Sequence, residues 1–242
     1  MKFIHPSHRN EAGLALRIVT AGLLVMLPVV FWPQQWLNQS FAQYLPLHIL
    51  LETLAIVVAL HIFALVWGTR KESLPCNLSI IAISMLASGI LDFSHMLSYD
   101  GMPDFVTPAS PEKAINFWLA ARLISTLGLL AIAFHSWQVP LSMRRSRLLL
   151  YTMLLLVSML HALFLLSPES LPRTFVPSEG LTALKIASEY ALIGLLLLAA
   201  ARFALYLRRP RQFNATGFLA ATLLLAQGEF FLTLYAEVSD HY

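Results

Sequence analysis

The sequence predicts an all-α, polytopic transmembrane helical bundle, on three observations. Of 242 residues, 58% are hydrophobic and 12% charged, about half the charge fraction of a soluble domain of this size. The apolar residues come in blocks of roughly 20, enough to cross a hydrocarbon core of roughly 30 Å as helix. The basic residues fall between those blocks, in alternate connections. Nothing resembles the short alternating segments of a membrane β-barrel, and mean hydropathy is +0.70.

The spacing predicts seven spans within a single integral-membrane domain over residues 1–242. The first, 12–32, lacks a small-residue cleavage site and is long enough to cross, so it is a span and not a signal peptide. Residues 34–44, with Trp and Gln, belong at the interface. The second span, 45–68, is apolar except for His48, Glu52 and His61, and the third, 75–98, opens at the single cysteine, Cys76. One cysteine excludes an intrachain disulfide. The turn-rich stretch Tyr99 to Asp104 follows and could lid whatever lies beneath it, stiffened by Pro103, Pro108 and Pro111. Spans four to seven are 113–137, 148–167, 181–207 and 213–236. Gly128, Gly194 and Gly217 are expected to allow close helix approach.

Orientation follows from the cations. Lys2, Arg9 and Arg17, then Arg70 and Lys71, then Arg144, Arg145 and Arg147, then Arg202, Arg208, Arg209 and Arg211 all belong to alternate connections. The opposite connections hold only Lys113 and Arg173, so the count is twelve against two. The positive-inside rule places the N-terminus in the cytoplasm and the 33–44, 99–112 and 168–180 loops outside. A sequence pI near 9.2 is therefore topogenic and does not imply nucleic acid. Seven spans leave the C-terminus outside, the arrangement expected if an eighth span is missing there.

With this orientation, nine ionisable residues inside the apolar blocks lie toward the extracytoplasmic face: His48, Glu52, Asp92, His95, Arg122, His161, Lys185, Glu189 and Glu229. Charge in hydrocarbon is costly, so such residues pair, line a cavity or carry function. The expectation is one polar chamber open to the outside. His48 and Glu52 share a helix face at i and i+4, and Asp92 and His95, at i and i+3, reach the same depth. Three chemistries fit these four residues: a transition-metal site using His48, Glu52, Asp92 and His95, a metal-free network of ion pairs, or a cradle for a small ligand. Arg122, a turn from Trp118 and from Ser125, requires an anion, which Asp92, Glu52, Glu229 or a ligand would supply. Lys185 and Glu189 share a face and are expected to pair with each other. Glu229, with Thr233 on its face, suits a protonation switch. His161 is a further candidate. His61 reads as a packed, hydrogen-bonded core histidine, and His135, His5 and His8 as incidental.

The run Gly89-Ile90-Leu91-Asp92-Phe93-Ser94-His95-Met96-Leu97-Ser98-Tyr99-Asp100-Gly101-Met102 makes the chain resemble a known family. His48-X-X-X-Glu52 precedes it and Phe117-Trp118-Leu119-Ala120-Ala121-Arg122 follows it. Together with Glu229 to Tyr235, these segments resemble the third membrane-associated sensor (MASE-type) family, in register from about residue 12 to the end. The resemblance implies a non-enzymatic input module of bacterial signalling proteins in the inner membrane. Such modules precede a covalently linked cytoplasmic kinase or cyclase, in two-component or cyclic di-GMP signalling; those outputs usually work as dimers, so self-association into a homodimer is expected. His48, Glu52, Asp92, His95, Tyr99, Arg122 and Glu229 carry over as motif positions. Relatives continue with a further span, opening Asn-X-X-Gly-His-X-Tyr-Lys, before which this sequence ends. The resemblance names no ligand; the residues admit a transition-metal ion, a proton or a small polar or quinone-like molecule from the extracytoplasmic side. Two rivals are a metal-dependent membrane enzyme and a small transporter. No motif identifies a nucleophile for the first, and the apolar inner halves of the spans disfavour the second.

Overall fold

The computed structural model describes residues 4–31, 44–69, 73–177, 179–210 and 213–233. The expected interface segment at 34–44 falls almost wholly outside them, as do the cations Lys2, Arg70, Lys71 and Arg211 and everything after Thr233, including Tyr235. Among the described residues, seven helices are long and apolar enough to cross a membrane. They are α1 (Arg9–Phe31), α2 (Tyr44–Gly68), α3 (Cys76–Ser98), α4 (Pro111–Phe134), α5 (Met143–Leu166), α6 (Ala183–Tyr206) and α7 (Ala215–Leu232). Two short antiparallel pairs join them: β1 (Ser73–Pro75) with β2 (Pro140–Ser142), and β3 (Phe175–Val176) with β4 (Gly180–Leu181).

Local chemistry sets several ends. The α5 helix starts five residues before the expected position because Ser142 caps it, its hydroxyl accepting from the Arg145 N–H. Asn214 caps α7, accepting from Gly217 N at 2.7 Å. Ser73 pairs with Ser142 and Pro75 with Pro140, so β1 and β2 tie the start of α3 to the start of α5. Cys76 N donates to Val139 O at 2.9 Å beside them.

The chain divides into two compact units. In the first, α1 packs against α7. Gly22 lets them approach: a Cβ there would stand 2.8 Å from Gln227 Oε1. Gln227 in turn donates to Val19 O. Phe203 stacks on Phe218 at 5.3 Å, and Tyr206 donates to Ala133 O. The tail before α1 belongs here as well. His8 is buried and donates from Nε2 to Arg209 O at 3.1 Å, while His5 N donates to Leu207 O. The side-chain contact corrects the reading of His8 as incidental, since it latches the tail to the end of α6; the His5 contact is made by its backbone.

In the second unit α3 is central, with α2 antiparallel along one side and α5 along another. The α3 surface is mostly small: Ser79, Ser84, Ser88, Ser94 and Gly89 are buried, so neighbours approach closely. Gly128 of α4 lies against Ser84, whose Cβ would stand 2.7 Å from an added one. A Cβ at Gly194 would meet nothing within 4 Å, so Gly194 does not serve helix approach; the nearest atoms to one at Gly217 belong to its own cap, Asn214. Ala87, Leu91, Phe117, Ala121, Ile124, Val157 and Phe164 form the apolar core where α3, α4 and α5 meet. Ser79 and Ser146, near the starts of α3 and α5, join hydroxyls at 3.2 Å. The α2 helix, by contrast, leaves Leu50, Leu54, Val58 and Leu65 exposed. His61 is exposed among them and not packed, because it projects from α2 away from the side that packs Ala59 against Gly89 of α3.

Candidate functional site: a histidine–carboxylate cluster on α2 and α3

Antiparallel packing brings the first turns of α2 level with the last turns of α3. His48 and Glu52, one turn apart on α2, and His95 on α3 each turn a possible ligand atom inward. Those three atoms lie within 4.8 Å of one another. The two imidazoles meet edge to face, with centroids 5.5 Å apart at 77°. Tyr99, just past the end of α3, lays its ring on His48 at 4.2 Å.

His95 is fixed by a backbone contact. Its Nδ1 lies 2.8 Å from the Ala114 carbonyl in the first turn of α4. A carbonyl only accepts, so Nδ1 carries the hydrogen and the neutral ring keeps its lone pair on Nε2.

Asp92, three residues before His95, faces a different neighbour. Nη2 of Arg122 stands 2.6 Å from Oδ1 and 2.7 Å from Oδ2 of Asp92, and Ser88 donates to Oδ2 at 3.3 Å. Three residues along a helix turn through about 300°, so the two side chains diverge by about 60°. Asp92 consequently pairs with Arg122 of α4, while His95 bonds the Ala114 carbonyl of α4 and meets His48 of α2. Both Asp92 and Arg122 are still near enough to Glu52 to act on it electrostatically. The ion pair is thus a charged neighbour of the histidine–carboxylate cluster.

The other candidates have surroundings of their own. His161 donates from Nδ1 to Val157 O, its Nε2 lies 2.7 Å from the Ser94 hydroxyl, and its ring packs on Phe117. Both nitrogens are engaged, which makes it a tie between α5 and α3. Lys185 is buried with its ammonium 5.7 Å from the Trp118 ring centroid. Glu189 and Glu229 are buried within the first unit.

The loop after α3 is more ordered than its turn residues suggested. Gly101 takes φ 87° and Val106 φ 63°. Thr107 N donates back to Phe105 O at 2.7 Å, which closes a tight turn around Val106. The buried Lys113 ammonium holds that turn, donating to Phe105 O at 2.6 Å and Thr107 O at 2.9 Å. A Cβ added at Gly101 would stand 3.4 Å from Leu45 Cδ2, at the start of α2.

Arg122, Tyr99 and the α2–α3 residues were all visible in the sequence. Ser88, the Ala114 carbonyl and the Lys113 clamp were not, although the serine spacing on α3 was a usable sign of a central helix.

Comparison with known proteins places the chain in a family. Residues 39–242 match the membrane-associated sensor domain MASE3. No curated protein and no solved structure matches the chain. The matched span holds α2 to α7, including every residue of the cluster. This chain, with seven candidate membrane spans, belongs to the MASE3 family of membrane-associated sensor domains.

Proposed function

We propose that this protein is the input domain of a bacterial inner-membrane signalling protein, reading its stimulus at the outer ends of α2 and α3. The supporting observation is the convergence of His48, Glu52 and His95 beside the Asp92–Arg122 pair. Ionisable groups at such depth are retained where they bind or switch. The twelve-to-two bias of Lys and Arg supports an outward-facing cluster and a cytoplasmic N-terminus. The stimulus shifts a two-state helix arrangement to the extent that it favours one state. Its natural output is a kinase or diguanylate cyclase joined on the cytoplasmic side, acting as a dimer.

The test is hydrogen exchange on the purified chain in lipid nanodiscs, under pH steps, first-row metal ions and a short-chain quinone in turn. One class of stimulus should slow exchange in the outer turns of α2 and α3 in wild type but not in Glu52→Gln. Unchanged exchange under every stimulus, or passage of labelled solute across proteoliposomes, would contradict it.

A further inference from the structure

We infer that His48, Glu52 and His95 form a binding site for one divalent first-row transition-metal ion, with a coordination position left open. This rests on the sensor reading and deepens it, because it gives the stimulus a chemical class.

The donor set decides the class. Two imidazole nitrogens and one carboxylate oxygen suit zinc, iron, cobalt, nickel or copper, and three protein ligands leave a fourth position for water or an incoming group. Magnesium and calcium prefer all-oxygen shells, and copper(I) prefers sulfur. The single cysteine, Cys76, begins α3, at the end of that helix away from His95.

Preorganisation supports the assignment. Metal-bound histidines commonly donate their second ring N–H to a carbonyl or carboxylate, which fixes the tautomer and aims the lone pair. The Ala114 carbonyl makes this contact with His95. Tyr99 seats the His48 ring, and the near-perpendicular imidazoles approach a common point from different directions. Ligand atoms in a tetrahedral zinc site stand roughly 3.4 Å apart. A pair at the 4.8 Å limit therefore closes by roughly 1.4 Å, within reach of side-chain torsions.

The structure also trims the set of four expected from sequence. Arg122 occupies both oxygens of Asp92, and Ser88 adds a bond to one of them. Asp92 and Arg122 cancel each other's charge, which leaves Glu52 as the anion that a cation would meet.

The test uses the full chain, purified without a polyhistidine tag, stripped with chelator and titrated with Co²⁺ and Zn²⁺. Wild type should take up one equivalent, with visible d–d absorption from Co²⁺. Glu52→Gln, His48→Ala and His95→Ala should each bind at least about tenfold more weakly, and His61→Ala should match wild type. Uptake by the three variants equal to wild type, or none by wild type, would overturn the site. If a variant fails to fold, X-ray absorption on the wild-type Zn²⁺ form decides. Two imidazoles and one carboxylate oxygen support the site, and any other protein shell overturns it. A wild type without metal that keeps its exchange response to pH or quinone overturns the metal alone. Loss of both overturns the sensor reading too.

Discussion

Arg122 reaches across from α4 to place one nitrogen, Nη2, 2.6 Å from one oxygen of Asp92 and 2.7 Å from the other. The Asp92 side chain is only 5% exposed and that of Arg122 19%, so neither ion has water enough to replace its partner. Breaking one half of such a pair typically costs about 3–5 kcal/mol. Arg122→Ala should lower stability by that order, and Asp92→Ala/Arg122→Ala by less than the two single changes summed. Thermal denaturation in detergent checks both. A melting temperature unchanged by Arg122→Ala would refute the pairing.

Gly128 makes a second close contact, with the side chain of Ser84. An alanine at 128 would put its Cβ 2.7 Å from that of Ser84, and both helices are held by other contacts. Overpacking of this kind costs about 1–3 kcal/mol. Gly128→Ala should therefore destabilise, and adding Ser84→Gly should recover most of the loss. Failure of the second change to rescue would mean the clash lies elsewhere.

Val106 adopts φ 63°, a region where a β-branched residue is strained by about 1–2 kcal/mol. Its side chain is 69% exposed, so little packing is lost when it is removed. Val106→Gly should raise stability or leave it unchanged. Lys113→Met removes the two bonds that hold the turn and should speed hydrogen exchange across residues 104–108. Equal exchange in Lys113→Met and wild type would show that the clamp does not hold the loop.

The single cysteine offers a test of orientation. Cys76 begins α3 and is partly exposed, whereas Asp100 lies just beyond the other end and is exposed. With a cytoplasmic N-terminus, a membrane-impermeant maleimide should label Cys76 in inverted vesicles and not in intact spheroplasts. Asp100→Cys in a Cys76→Ser background should show the reverse. The opposite pattern would turn the cluster toward the cytoplasm.

The spans are legible in sequence because an uninterrupted apolar block of this length has few other uses. The second span is expected at 45–68 and forms Tyr44–Gly68, and the third is expected at 75–98 and forms Cys76–Ser98. Starts and stops are less legible where a cap decides, as Ser142 does for α5. At the site, the His48–Glu52 face follows from helical period alone. The parting of Asp92 from His95 does not, because it depends on α4 offering Arg122 on one side and α2 offering His48 on the other. The second role of the Ala114 carbonyl is invisible for the same reason: a backbone acceptor leaves no mark on residue identity. His8 shows the opposite failure, a tail residue buried through a partner 201 positions away.

The account rests on α2 and α3 bringing residues 48 and 95 face to face, and a cysteine pair measures this directly. In a Cys76→Ser background, His48→Cys/His95→Cys should be bridged within one chain by a short bifunctional methanethiosulfonate in native membranes. The pair His61→Cys/His95→Cys should not. Efficient bridging of the first pair alone is the predicted result. No bridging of it, with both thiols still reactive singly, would contradict the cluster and the function built on it.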